Sequence, residues 1–169
     1  MNTKPIFVTF AGVPGSSKSQ IANYLSYNLF LPVFCNDNIR SEVKADIGEL
    51  NEEEYQQRRA ERLKKLFQSQ KSFIYDASID RRWDTLRQDV INAGYKVVII
   101  SLDLSKSKIQ ELYESHDKPE SLPFIDQYIG QHERFLKNYQ KEVTLSIDDE
   151  TFAFRLERVK NAISKIKYI

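Results

Sequence analysis

Gly12-Val13-Pro14-Gly15-Ser16-Ser17-Lys18-Ser19 is the stretch of this chain whose residue types and order carry the most specific chemistry. It fits the phosphate-cradling pattern G-x-x-x-x-G-K-[ST] at Gly12, Lys18 and Ser19, with Ser17 where the second glycine falls. A flexible loop lets successive backbone N–H groups turn inward around an anion. The N-terminus of a following helix brings its positive dipole end to the same point. A lysine at 18 then reaches terminal phosphates, and a hydroxyl at 19 ligates Mg²⁺. Serine is the mildest replacement for the missing glycine, being small and carrying a hydroxyl able to face the anion, while Gly15 supplies a flexible point two residues earlier. The bland alternative is a strand-to-helix turn that happens to contain glycine, followed by a surface lysine. A strand before, a helix after and the adjacent Lys-Ser pair weigh against it. Gly12 to Gln20 is therefore the expected phosphate site.

Short apolar β-formers alternate with longer amphipathic stretches, as in an α/β domain with a parallel sheet. Ile6 to Ala11 is a continuous apolar run, fit for a central strand buried on both faces. Lys18 to Phe30 reads as a helix, Pro32 to Cys35 as a strand, and Asn38 to about Leu66 as two polar helices broken near Gly48. Ser72 to Asp76 is a third strand, Arg81 to Ala93 a helix, and Gly94 sits where a helix end wants a left-handed residue. Tyr95 to Leu102 is the clearest strand, followed by a helix from Ser105 to about Glu114 and an exposed loop from His116 to Pro123. Phe124 to Lys141, Val143 to Ile147 and Thr151 to Lys167 read as helix, strand and closing helix. With no linker, repeat or low-complexity tract, residues 1–169 read as one compact domain.

Ligands of open parallel sheets sit outside the carboxyl ends of the strands. Asp37 and Asp76 both fall at such ends, on the rim that carries the glycine-rich loop. Phosphoryl transfer to a hydroxyl wants one carboxylate to orient the acceptor and take its proton, and another to help hold the hydrated cation. Asp37 could instead cap a helix, but Asn36 and Asn38 are equally good caps, so capping alone does not call for an acid.

Three segments together resemble the P-loop kinases, in particular the small-molecule, polynucleotide-kinase and zeta-toxin-like group. They are Gly12 to Ser19, Asn36-Asp37-Asn38-Ile39-Arg40 (similar to a D-x-[IL]-R element), and Ile74-Tyr75-Asp76-Ala77-Ser78 followed by Arg81-Arg82-Trp83. The resemblance spans Ile6 to about Leu102 and implies a three-layer α/β/α sandwich around a five-stranded parallel sheet in the order 2-3-1-4-5. It implies ATP and Mg²⁺ as cofactors, with Lys18 and the loop on the phosphates and Ser19 on the cation. Asp37 is then the acceptor-side carboxylate, Arg40 a clamp on substrate phosphate or polar groups, and Asp76 a servant of Mg²⁺ or acceptor. It also implies a lid, here about Leu112 to Pro123, that closes over the nucleotide and excludes water. No arginine stands between Arg87 and Arg134, so the lid's cations are Lys106, Lys108 and Lys118, with His116 as a fourth and Arg134 on the next helix. Arg81, Arg82 and Trp83 either line the acceptor cleft or, for Trp83, anchor a helix to the sheet.

Composition narrows the field further. The 169 residues are 41% hydrophobic, enough to bury a core, so global disorder is excluded. Basic and acidic residues number 25 and 24, for a net charge of +1, which argues against a protein that coats nucleic acid and leaves a nucleic acid only as an acceptor. Cys35 is the single cysteine and reads as packing; no internal disulfide or cysteine-based zinc site is open to the chain. His116 and His132 read as solvated. The basic stripe Arg58, Arg59, Arg62 and Lys65 reads as helix-surface pairing with the preceding acids. The apolar run from Ile6 is too short to span a bilayer, so the expectation is a soluble cytoplasmic protein with no membrane partner. Two functions follow: an ATP-dependent kinase with a hydroxyl-bearing acceptor of unread identity, or a nucleotide-binding protein with little turnover.

Overall fold

The computed structural model describes residues 4–115 and 119–167. Its centre is strand β1 (Ile6–Ala11), buried at every position because it has strands on both sides and helices on both faces. It is joined by β2 (Val33–Cys35), β3 (Phe73–Ser78), β4 (Lys96–Leu102) and β5 (Val143–Ile147) in a sheet ordered β2-β3-β1-β4-β5. All four neighbouring pairs are parallel. This is the sheet the sequence led us to expect, with the glycine-rich loop leaving its central strand.

The helices are α1 (Lys18–Leu29), α2 (Asn36–Ile47), α3 (Glu52–Ser69), α4 (Trp83–Asn92), α5 (Lys106–Ser115), α6 (Ile125–Tyr139) and α7 (Arg155–Lys167). Period-two alternation along β1 sorts the core into two layers. Ile6, Val8 and Phe10 face α1, α5 and α7, meeting Ile21, Leu25, Ile109, Val159 and Ile163. Phe7 and Ala11 face the other way, toward Val43 of α2, Leu63 of α3 and Val90 of α4. On that side Phe7, Phe73 and Tyr75 pack ring against ring at 5.2 and 5.7 Å between centroids.

Several boundaries differ from the sequence expectation. The second helix starts at Asn36, so Asp37 lies in its first turn and is not its cap; Cys35 holds the cap position with no side-chain hydrogen bond. The third strand runs on to Ser78, and its register against β1 jumps from Thr9↔Tyr75 to Phe10↔Ser78. Asp76 and Ala77 thus drop out of the β1 ladder, the kind of irregularity that re-aims side chains at a sheet rim. Residues 119–123, expected as loop, and Phe124, expected to open the next helix, form a 3₁₀ turn, and His116, Asp117 and Lys118 lie outside the described residues. The break between α2 and α3 does come at Gly48, whose φ of 91° ends α2, and Gly94 has φ 82° as the helix end requires.

Trp83, the chain's one tryptophan, is 1% exposed and donates from Nε1 to Glu142 at 3.1 Å. Arg87 also meets Glu142, at 3.0 Å, so one carboxylate fastens α4 to the entrance of β5. The anchoring role is the one Trp83 takes. Trp83→Ala should cost about 3–5 kcal/mol in denaturant unfolding, and a loss under about 1 kcal/mol would show that α4 is not held by this residue.

Candidate functional site

A cleft of about 720 Å³ opens at the carboxyl ends of β1, β2 and β3. The glycine-rich loop and the start of α1 form one wall; the starts of α2 and α4 form the other. Every candidate from the second and third sequence segments — Asp37, Arg40, Asp76, Arg81 and Arg82 — lines it together with Lys18 and Ser19.

The loop is held by specific contacts. Gly12 N–H donates to both oxygens of Asp80, at 3.2 and 3.1 Å. Gly12 has φ 132°, and a Cβ there would come within 3.0 Å of Leu102. Gly15 has φ 75°, and its missing side chain leaves the space that Tyr113 fills; an added Cβ would sit 2.7 Å from the ring. Ser17 also has a positive φ, of 79°, which explains why glycine suits the position: the backbone there is left-handed, a conformation that strains a residue with a Cβ. Its hydroxyl does not face the loop interior as expected. It donates to Gln20 Oε1 at 2.6 Å and accepts from Arg155 Nε at 2.8 Å.

No side chain caps the first turn of α1, so its amides remain for an anion. Lys18 is buried, and its Nζ donates to Gly12 O at 3.0 Å, to Val13 O, and to Ser16 Oγ at 3.2 Å. Burial pulls its ammonium down to about 8, against the opposing pull of the Asp80 and Asp76 charges. A lysine so placed has a carbonyl nest to rest in and gains most from an incoming polyanion.

Ser19 Oγ donates to Asp76 Oδ1 at 3.1 Å. Burial raises Asp76 above the usual carboxylate range, opposed by the Ser19 bond and the Lys18 charge. The pair offers hydroxyl and carboxylate oxygens side by side at the mouth of the loop, the hard donors Mg²⁺ prefers. No group of three or more His, Cys, Asp or Glu able to enclose a metal occurs among the described residues. On the far wall Asp37 is exposed to the cleft at 85% of its side chain, and Arg40 donates to it at 3.2 Å while lying 4.6 Å over the ring of Tyr55. Cys35 is half-buried and stands opposite Asp76 in the β2–β3 register.

Three residues that the sequence reading passed over, or placed elsewhere, support the loop. Asp80 has a side chain 5% exposed and, besides Gly12, meets His132 Nδ1 at 3.2 Å. His132, expected in solvent, is 7% exposed; its Nε2 faces Asp103 Oδ1 at 2.8 Å. Burial alone would lower its pKa, but the bonds to Asp103 and Asp80 and their charges outweigh it and push it up to about 9. An imidazolium between two carboxylates neutralises buried charge directly behind the loop. Arg155, at the start of α7, also donates to Gln20 Oε1 at 2.9 Å and stacks 4.0 Å over Phe152. An arginine three residues after an aromatic, opening the helix that follows the last strand, was its faint sequence signal.

Other expected cations are committed elsewhere. Lys106 pairs with Asp126 at 2.6 Å and Lys108 with Glu111 at 2.8 Å. Arg134 is exposed on α6 and is not among the residues lining the cleft. Of the basic stripe, Arg58 pairs with Glu54 as expected but also with Asp46, Arg62 with Glu42, and Arg59 with Asn36 and Tyr75. The stripe therefore clamps α3 to α2 and β3, more than it lines up pairs along one helix.

Gly15→Ala should lower stability by about 2 kcal/mol, from the left-handed backbone and the collision with Tyr113 together. Adding Tyr113→Leu should recover part of that loss in a double-mutant cycle. Strict additivity would show that the ring does not shape the loop. For His132, protonation is favoured in the folded state, so its contribution is whole below its ordinary 6.5 and fades as pH rises toward about 9. Lys18 acts oppositely, but only above about 8. Between pH 6.5 and 8 stability should therefore fall by ~2 kcal/mol, and His132→Gln should flatten that slope in urea titrations. An unchanged slope would remove His132 as its source.

No protein-family model matches the chain, and neither does any curated protein. Solved structures do. A sugar kinase from Janibacter sp. HTCC2649 is 20% identical with a TM-score of 0.63, over 95% of each chain. A deoxyadenosine kinase from M. mycoides is 16% identical with a TM-score of 0.62, over 95% of this chain and 100% of the other. A gluconokinase from Sinorhizobium meliloti 1021 is 16% identical with a TM-score of 0.61, over 98% and 95%. At such identities the likeness is one of architecture: this chain shares with these solved kinases its fold, a five-stranded parallel sheet ordered β2-β3-β1-β4-β5 between layers of helices.

Proposed function

We propose that the protein is an ATP- and Mg²⁺-dependent phosphotransferase that moves the γ-phosphoryl group of ATP to a hydroxyl of a small molecule, nucleotide or polynucleotide end. The observation that carries this reading is the meeting, in one cleft, of the uncapped α1 start with Lys18, the Ser19–Asp76 pair at 3.1 Å, and the exposed carboxylate of Asp37 on the opposite wall. Three separate chain segments supply these groups, and a structural role alone gives them no reason to converge. The fold shared with solved kinases supports the same reading.

The amides from Gly15 to Gln20 grip the triphosphate, and Lys18 leaves its carbonyl nest to reach the terminal phosphates. Ser19, with Asp76 behind it, would hold a Mg²⁺ ion, which when bound would offset charge on the phosphate oxygens. Asp37 orients the acceptor hydroxyl and takes its proton at a carboxylate oxygen as the acceptor O–Pγ bond forms and the Pγ–O bond to the β-phosphate breaks, releasing ADP. Arg40 fixes that carboxylate from one helical turn away. Such an enzyme meets ATP in the cytoplasm, where an unpaired cysteine is also at home.

A second reading, nucleotide binding with little turnover, draws on the commitment of Lys106 and Lys108 to Asp126 and Glu111. That pairing leaves less charge free to close over a transferring phosphoryl group. ADP release across nucleosides, nucleotides, oligonucleotide ends and sugars separates the two: the kinase reading expects acceptor-dependent release, the second expects tight ATP binding without it.

Lys18→Ala should weaken ATP binding at least about 100-fold with an unchanged circular dichroism spectrum; unaltered affinity would overturn the loop's assignment. Asp37→Asn should leave ATP affinity within about twofold while lowering kcat about 100-fold or more. Full activity in that variant would reduce Asp37 to a surface acid.

A further inference from the structure

The charges of the cleft do not balance once the triphosphate has its share. Lys18 and the α1 amides belong to the phosphate tail, and Ser19 and Asp76 to the cation. On the acceptor wall this leaves Arg40, Arg81 and Arg82 against Asp37 alone. Arg40 is already engaged by Asp37 at 3.2 Å. Arg81 and Arg82 are exposed neighbours whose guanidiniums have no ion pair or side-chain hydrogen bond among the described residues. By contrast Arg58, Arg62 and Arg87 each meet a carboxylate outside the cleft. Adjacent like charges left unneutralised beside a third arginine raise the energy of the empty site and fall in energy when an anion arrives.

Helix ends add to the same field. The N-termini of α1, α2 and α4 all open on this cleft, and none carries a side-chain cap. The start of α3, whose Tyr55 also lines the cleft, is by contrast capped, Asn51 accepting from Glu54 N–H at 3.0 Å, while α6, away from the cleft, has no side-chain cap either. The α1 start serves the triphosphate. Those of α2 and α4 face the acceptor side with their positive ends uncovered.

We propose that the acceptor is a hydroxyl-bearing phosphomonoester, its phosphate held by Arg81 and Arg82 and its hydroxyl presented to Asp37. The inference rests on the kinase reading and adds the class of substrate to it. Two uncompensated positive charges match a phosphomonoester, which carries about −1.5 to −2 at neutral pH. Two guanidinium forks can take its three oxygens bidentately, which a single carboxylate would not satisfy. A neutral sugar or nucleoside leaves both charges unpaired, and a polycationic acceptor is repelled outright.

The test uses matched acceptors: glucose, glucose 6-phosphate and gluconate, and adenosine with AMP. Each is titrated calorimetrically into protein already saturated with Mg²⁺ and a non-hydrolysable ATP analogue. In at least one pair the phosphorylated member should bind about tenfold tighter or more than its neutral twin. Arg81→Ala/Arg82→Ala should erase that advantage while analogue affinity stays within about twofold. Arg81→Lys/Arg82→Lys, keeping charge without the fork, should retain only part of it. The proposal is overturned if neutral twins bind as well, if no phosphorylated member binds below about 10 mM, or if the advantage survives the double alanine variant. A preference for gluconate over glucose 6-phosphate overturns the phosphomonoester assignment in favour of a carboxylate. If the double variant loses the analogue instead, the arginines serve ATP and the proposal falls. Failure of the wild-type protein to bind the analogue is read in the first titration and strikes the kinase reading itself.

Discussion

The cleft depends on keeping a tight backbone turn between β1 and α1, closed around the Lys18 ammonium, which donates to Gly12 O, Val13 O and Ser16 Oγ. That conformation is unfavourable for an isolated chain. Gly12, Gly15 and Ser17 all have positive φ, and Ser17 adopts it in spite of its Cβ. Tertiary contacts outweigh the strain: Asp80 takes the Gly12 N–H, Tyr113 packs on Gly15, and Arg155 and Gln20 hold the Ser17 hydroxyl. Strain of this kind persists where surroundings over-determine it. Here three separate elements do so.

Charge compensation behind the loop follows from the same demand. A carboxylate placed to accept the Gly12 amide is nearly out of water, and so is Lys18 in front of it. Asp80 is a negative charge directly behind the loop that the proposed function gives to phosphates. The His132 imidazolium, shared with Asp103, screens it from behind. The same histidine belongs to α6, so the segment following α5 is tied electrostatically to the floor of the cleft.

Parallel topology supplies the rest. Strands running one way leave their carboxyl ends on one rim, and the helices that follow β1, β2 and β3 begin there with their positive ends at the cleft. The groups that act on anions are thus concentrated without any excess of basic residues in the chain, whose net charge is only +1. A near-neutral protein can still carry a cleft with more basic than acidic lining residues because Arg58, Arg62 and Arg87 meet carboxylates elsewhere while Arg81 and Arg82 meet none among the described residues.

Local pattern was enough to determine the elements. Short apolar runs, helical spacing and the glycine punctuation at 48 and 94 depend on neighbours within a few residues, and β1, the sheet class and the glycine-rich loop were all legible from them. The strand order came from resemblance, since periodicity does not say which strands pair. Asp37, Arg40 and Asp76 were legible as strand-end residues, and the structure brings them to one cleft. What only the tertiary structure decided was the company each side chain keeps: the inward turn of Asp80, the burial of His132, the reach of Arg155 across to Ser17, and guanidiniums of Arg81 and Arg82 that meet no side chain among the described residues. Those contacts join residues up to 138 positions apart, so they depend on how the sheet and helices close around the loop and leave almost no trace in the chain's local order.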